Sequence, residues 1–316
     1  MNKARSKVAI IGCGNVGSTF AFSLMISGIA REIALIDRNL SRAQGECMDL
    51  NHAASFVSPI KIYAAEYDGC KDADVVVITA GAKQKPGQTR IDLVNANTDI
   101  FKDIVPKIMK YAGNAILLIV TNPMDILTYV TLKISGFPVN KILGSGTVLD
   151  SSRFRYSISE RCNVDPRNVH AYIIGEHGDT ELPVWSHANI GGMVLSDYCP
   201  ICGGKCDYKN ELGSIFEEVK NAAYKIIESK GATYYAIALA LVKIAEAVLR
   251  DENSVLPVST LINDYCGIND VCLSIPCIVN RNGVEKILKL KLSPEEQKKL
   301  KFSADSLRNI LKTLKI

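Results

Sequence analysis

Residues 8–17 read VAIIGCGNVG, an apolar run that passes directly into the spacing G-x-G-x-x-G at Gly12, Gly14 and Gly17. The run suits a buried strand. The glycines suit a tight turn into a helix, where missing side chains let the backbone approach a pyrophosphate at the helix N-terminus. Alone the motif is weak, because glycines also build ordinary turns. Its surroundings strengthen it. A second strand-like run, 32–37, ends in Asp37, about 20 residues beyond Gly17, where a carboxylate can bind ribose hydroxyls. Asp37 would repel a 2′-phosphate, which favours NAD over NADP, although Arg38 and Arg42 add positive charge nearby.

Working outward, the first half alternates short apolar runs (8–11, 32–37, 61–64, 75–80, 115–120 and 141–143) with helical patterns (16–27, 42–50, 92–111 and 125–135). Such alternation predicts a parallel sheet covered on both faces. After about residue 146 the pattern changes. Helical stretches at 151–161, 210–229, 233–250 and 294–314 surround strand-like runs at 171–174, 254–262, 271–280 and 284–289. The expectation is α/β: a Rossmann-type doubly wound parallel sheet over 1–146, followed by an α+β substrate-binding lobe over 147–316. With no flexible linker between them, the two should share a cleft.

Composition limits the functions available. The 316 residues are 47% hydrophobic and 22% charged, with a formal net charge of +4. That is ordinary globular composition, and the charge is too small to argue for nucleic acid. Lysines alternating with Leu and Ile near the C-terminus read as the solvated face of an amphipathic helix. The uncharged stretch 8–30 is interrupted by Gly12, Gly14, Asn15 and Gly17. It therefore lacks the apolar core of a signal peptide or membrane helix, and a cytoplasmic location with no membrane partner is expected. Ten cysteines are dispersed along the chain, and thiols in the cytosol stay reduced, so no disulfide framework is expected. Cys199, Cys202 and Cys206 have zinc-like spacing, yet a structural zinc takes four ligands. No metal is expected.

His177 lies just past an apolar run, flanked by Glu176, Gly178 and Asp179. Hydride addition to a carbonyl leaves an alkoxide that needs a proton. A histidine backed by a carboxylate supplies one near neutral pH. On spacing alone Asp150 reads as a helix N-cap and Arg153 as a surface residue.

The segments GCGNVG (12–17), AGAKQKPGQTR (80–90), VTNPMD (120–125), GSGTVLDSSRFR (144–155), GEHGDTELPVW (175–185) and KGATYYAIA (230–238) change that reading. Together, and in this order, they resemble the lactate/malate dehydrogenase family, and within it the bacterial L-lactate dehydrogenases. The resemblance runs from about Lys7 to the C-terminal helix. It implies reversible hydride transfer between NADH and pyruvate, giving L-lactate. His177 would be proton donor and acceptor, and Asp150 would hold its ring. Arg153 would grip the substrate carboxylate through a two-pronged contact. Arg90 would polarise the reacting carbonyl from a closing loop, and Asn122 would orient substrate and nicotinamide. Gly12, Gly14, Val16, Gly17, Asp37 and Arg42 would meet the pyrophosphate and adenosine. Tyr67, Gly81, Ala82, Val120 and Ser145 would line the rest of the NAD site.

Within that family, the position of Gln84 separates substrates. Malate dehydrogenases carry Arg there to meet the second carboxylate of oxaloacetate. Gln84 is neutral, and Thr233 also adds no charge, so both favour pyruvate. The alternatives are a malate or branched 2-hydroxy acid dehydrogenase, or a non-catalytic NAD sensor. The resemblance further implies that Arg155 and His170 bind fructose 1,6-bisphosphate as an activator across a subunit interface of a homotetramer. Taken by themselves, both residues read as surface.

Overall fold

The computed structural model describes residues 6–82, 90–198 and 208–314. Strands and helices alternate through the first half. β1 (Lys7–Ile11) leads to α1 (Asn15–Ser27), and β2 (Glu32–Ile36) to α2 (Leu40–His52). β3 (Lys61–Ala64) and β4 (Val75–Ile78) follow, then α3 (Arg90–Met109), β5 (Ile116–Ile119), α4 (Met124–Ser135), β6 (Ile142–Gly144) and α5 (Val148–Cys162). Next come four two-residue strands, β7 (Val169–His170), β8 (Ile173–Ile174), β9 (Leu182–Pro183) and β10 (Asn189–Ile190), and then β11 (Met193–Val194) and α6 (Leu195–Tyr198). The chain ends with α7 (Tyr208–Lys230), α8 (Tyr235–Leu249), β12 (Ser254–Ile262), β13 (Val271–Asn280), β14 (Gly283–Ile287) and α9 (Pro294–Leu311).

The first six strands form a parallel sheet in the order β3-β2-β1-β4-β5-β6. Every residue of β1, β4 and β5 is buried, as a sheet covered on both faces requires. α1 and α8 pack against each other on one face. α1 stops where Gly28 takes φ +66°, a left-handed cap that glycine adopts without strain.

The sheet does not end at β6. β12 pairs antiparallel with it at Ser259 opposite Gly144, and β13 and β14 continue outward. The antiparallel strands expected in a separate lobe therefore extend the parallel sheet to nine strands among the described residues. The reason is packing: β13 is buried along nearly its whole length and β12 from Leu256 to Thr260, and the open edge of β6 offers backbone partners. The short strands form a second small core with α5 and α7. It includes Phe154, Ile158, Ile173 and Val219, with Trp185 edge-on to Phe154 at 4.6 Å. α9 buries Leu300, Ala304 and Leu307. Among the described residues, no helix is long and apolar enough to cross a membrane.

Candidate active site

The loops that follow β1, β2, β4, β5 and β6 gather at the C-terminal edge of the parallel sheet. β1 lies beside both β2 and β4, so strand order reverses there and opens a crevice. Gly12 leaves β1 with φ +101°, and a Cβ on it would sit 2.7 Å from the Ala80 nitrogen. A Cβ on Gly17 would lie 2.0 Å from the Gly12 carbonyl oxygen. On Gly14 a Cβ would meet nothing within 4 Å. Gly12 and Gly17 are thus required by the chain's own packing, whereas Gly14 faces open space. α1 begins there without a side-chain cap or an acidic residue in its first turn. Its N–H groups and positive dipole end are left for an anion.

Asp37 stands across the turn. Its Oδ2 accepts the Cys13 N–H at 2.8 Å and its Oδ1 the Asn39 N–H at 2.9 Å. The expected ribose ligand therefore also braces the glycine turn. Each oxygen keeps a further lone pair, and the side chain stays half-buried. Val16 is half-buried in the first turn of α1, Arg42 is exposed on α2, and Tyr67 is half-buried after β3. Gly81 and Ala82 follow β4, Val120 and Asn122 follow β5, and Ser145 follows β6, its N–H donating to the Ile119 carbonyl at 2.8 Å. An open glycine, an uncapped helix and a carboxylate on one sheet edge fit a dinucleotide.

The candidate catalytic groups sit beside this crevice. Asp150 is not an N-cap: Thr147 holds the N-cap position of α5 without a side-chain cap bond, and Asp150 lies inside the first turn, buried. It shares a face with Phe154 and Ile158, so the apolar stripe of α5 that anchors the second core also turns Asp150 inward. The Ser151 hydroxyl accepts the Ile173 N–H at 2.9 Å, which ties β8 to α5 and carries His177 to the helix. His177 Nδ1 meets Asp150 Oδ2 at 2.6 Å, and Arg153 Nη1 donates to Asp150 Oδ1 at 2.9 Å. Arg153 is 14% exposed rather than a surface residue. Among the described residues its Nη1 is bonded, and Nε and Nη2 have no partner.

Electrostatics follow from this packing. Burial opposes the charged imidazolium, but the charge and hydrogen bond of Asp150, with Glu181 and Asp125 behind it, lift His177 from 6.5 to about 9. Burial would raise the pKa of Asp150, yet His177 and Arg153 hold it below the usual carboxylate range. His177 is thus kept protonated at neutral pH.

Other expected residues stand as follows. Asn122 is exposed after β5, and its carbonyl accepts Asn97 Nδ2 at 2.7 Å. Thr233 is half-buried just before α8. Arg90 opens α3. Gln84 and the cysteines Cys199, Cys202 and Cys206 lie outside the described residues. His170 is exposed on β7, whereas Arg155 is half-buried rather than free on the surface. Its Nε donates to the Ala171 carbonyl at 3.0 Å, and its guanidinium lies 5.4 Å from the Tyr172 ring centre. Cys13, Cys47, Cys70, Cys272 and Cys277 are buried free thiols.

Four further residues have no role in the sequence reading. Asn97 on α3 accepts the Ala82 N–H at 2.7 Å while it holds the Asn122 carbonyl, so it joins the loops after β4 and β5. Asp125 accepts the His177 N–H at 2.7 Å and the Ser259 hydroxyl at 2.6 Å. Glu181 is buried beside His177 and Asp150. Only Glu181 carried a signal, an acid four residues past the histidine. A lone Asn or Asp in a helix, or a Ser in a strand, does not stand out.

The family model for the lactate/malate dehydrogenase NAD binding domain matches residues 6–144, and that for the alpha/beta C-terminal domain matches residues 147–315. The chain is 56% identical over 315 residues to an L-lactate dehydrogenase of Acetivibrio thermocellus, covering 100% of this chain and 99% of that protein. It is 51% identical over 312 residues to L-lactate dehydrogenase 1 of Clostridium acetobutylicum, covering 99% of each. Among solved structures, the ligand-bound minor L-lactate dehydrogenase of Enterococcus mundtii superposes with a TM-score of 0.94 at 40% identity, covering 99% of both chains. A lactate dehydrogenase from a Medee basin deep-sea metagenome gives the same TM-score at 43% identity, covering 98% of both.

Proposed function

The chain belongs to the lactate/malate dehydrogenase family, whose N-terminal half binds NAD, and on that premise we propose that it interconverts pyruvate and L-lactate with His177 as the proton donor and acceptor. One observation carries the assignment. Asp150 joins His177 on one oxygen, at 2.6 Å, to Arg153 on the other, at 2.9 Å. A proton source and a carboxylate grip are thereby held at a fixed separation.

Bound NADH supplies the hydride. The rest falls to the chain's own side chains. Arg153 receives the carboxylate of pyruvate on the guanidinium nitrogens that Asp150 leaves free. The His177 ring, fixed through Nδ1, presents Nε2 to the carbonyl oxygen and gives up its proton as the alkoxide forms. Asp150 keeps the imidazolium form available and fixes which nitrogen faces the substrate. In the reverse direction neutral His177 takes the hydroxyl proton of lactate. Asn97, by joining the loops after β4 and β5, keeps Asn122 at the substrate end. Residues 1–146 form the NAD-binding part in this proposal and 147–316 the catalytic part. The direct test is NADH oxidation with pyruvate, oxaloacetate and branched 2-oxo acids in parallel. A larger kcat/KM for oxaloacetate or a branched acid than for pyruvate would overturn the assignment.

Activation by fructose 1,6-bisphosphate is the second part of the proposal. His170 is exposed and adjoins Ala171, whose carbonyl engages Arg155 Nε at 3.0 Å, and among the described residues the Arg155 Nη atoms are left for a phosphate. Large apolar side chains on the outside of α1, α2 and α8 support a homo-oligomer: Ile26 is 59% exposed, Met48 61% and Leu239 63%. Where such side chains form a contiguous patch, it is surface that a partner covers. Light scattering and pyruvate saturation, each with and without the sugar bisphosphate, test both points. A monomer in all conditions, or unchanged pyruvate affinity and assembly, would reject them.

A further inference from the structure

The mechanism above leaves Glu181, a buried ionisable group beside the catalytic pair, unused. Glu181 is 8% exposed and immediately precedes β9. Its backbone N–H closes the turn onto the Gly178 carbonyl at 3.2 Å. Among the described residues its carboxyl has no hydrogen-bond partner. It is nevertheless close to the chemistry: one nitrogen or oxygen from each of Asp150, His177 and Glu181 lie within 4.8 Å of one another. An ionisable carboxyl held this close to a proton-transfer pair calls for a role beyond packing.

The charges facing Glu181 come from several elements. Asp150 and Arg153 approach from α5, His177 from its own loop and Lys220 from α7, while Asp125 on α4 lies behind His177. Arg153 and protonated His177 supply two positive charges, and Asp150 removes one. The catalytic trio therefore presents a net charge of +1, which matches one substrate carboxylate. A second ionised carboxyl would cancel it, and two carboxylates in one low-dielectric pocket do not both ionise readily.

We propose that Glu181 sets the charge of the substrate pocket: protonated, it leaves the trio's positive charge to the 2-oxo acid, and ionised, it neutralises that charge and weakens substrate binding. The proposal rests on His177 and Arg153 acting as described above. Glu181 is a positioning residue that works through the field it adds, and it gives the pocket a proton-controlled affinity. Burial first, and Asp150 second, raise the Glu181 carboxyl from 4.5 to about 8, against the pull of His177, Arg153 and Lys220. His177 titrates near 9. The two therefore leave as a coupled pair, and the alkaline loss of substrate binding involves two protons.

The experiment is the pH profile of kcat/KM for pyruvate between pH 6.5 and 10, in the unaltered protein and in Glu181→Gln, which keeps the shape and removes the ionisation. NADH affinity, followed by fluorescence, checks that the variant is folded. The unaltered protein should lose roughly tenfold in kcat/KM by one pH unit above the Glu181 break, and the limb should steepen to a slope of two. Glu181→Gln should show a single break with a slope of one. Glu181→Asp, which restores an ionisable group, should recover the slope of two with a displaced break. If Glu181→Gln keeps the two-proton limb, or Glu181→Asp fails to restore it, the inference is overturned while the dehydrogenase assignment stands. Absence of pyruvate-dependent NADH oxidation in the unaltered protein would instead overturn both.

Discussion

The backbone N–H of His177 donates to Asp125 Oδ2 over 2.7 Å, and the other oxygen of that carboxyl takes the Ser259 hydroxyl at 2.6 Å. Asp125 stands in the first turn of α4, and Ser259 lies on β12 opposite Gly144. One buried carboxyl therefore joins the catalytic loop to the line where the parallel and antiparallel strands meet.

Replacing Asp125 with Ala should leave two buried donors unpaired, at a cost of about 1–3 kcal/mol for each. Its melting temperature should fall and kcat should fall with it. Asn keeps an acceptor for the His177 N–H and should be milder. Burial lifts Asp125 from 3.8 to about 7. The folded state therefore favours the neutral form, whose stability contribution is complete below about pH 4 and is lost as pH rises through 7. The melting temperature of Asp125→Asn, relative to the parent, should rise over that interval. A constant difference would contradict the shift.

His177→Ala and Arg153→Ala should each lower turnover at least 10²-fold, the usual effect of removing one such group, while NADH binding survives. In the proposed mechanism protonated His177 serves pyruvate reduction and neutral His177 serves lactate oxidation, and Asp150 raises that change to about 9 against the cost of burial. Initial rates with lactate should therefore climb as pH approaches 9, and those with pyruvate should not. Parallel profiles in the two directions would remove His177 from the proton step.

Gln84→Arg should shift the ratio of specificity constants towards oxaloacetate by orders of magnitude, since burying an unpaired carboxylate costs about several kcal/mol. Steady-state kinetics with both substrates measure this. A ratio that moves less than tenfold would mean that another residue selects the substrate.

Gly14→Ala and Gly17→Ala should fail differently. An added Cβ at Gly14 meets nothing within 4 Å, so the variant should fold with an unchanged melting temperature and bind NADH more weakly. At Gly17 the Cβ would lie 2.0 Å from a carbonyl oxygen, so the variant should lose thermal stability. Full NADH affinity in Gly14→Ala would show that the open space is not where the pyrophosphate lies.

Much of the molecule was legible from local pattern. β3, β12 and β13 have the bounds that their apolar runs suggest, and α1 differs by one residue at its start. Gly12, Gly14, Gly17 and Asp37 could be read because turn geometry, helix polarity and strand order place them within one stretch of chain. Asp150 and Arg153 were misleading taken by themselves, since an acid near a helix start and an Arg one turn later are common at surfaces. Six ordered motifs made their pairing with His177 readable.

Properties that depend on neighbours along the chain could be read without coordinates: the alternation of buried strands and helices, the glycine turn, and the residues carrying charge or a proton. Which distant groups meet depends on how the folded chain packs. Against the cost of burial, the charge and hydrogen bond of Asp150 move His177 to about 9, whereas burial, with Asp150 second, moves Glu181 to about 8. The edge of β6 is what draws β12 to β14 into the same sheet, and an α4 carboxyl is what holds the His177 backbone. Charge interactions and desolvation act through space over a few ångströms, so they follow the packing of the folded chain and leave no mark in the spacing of its residues.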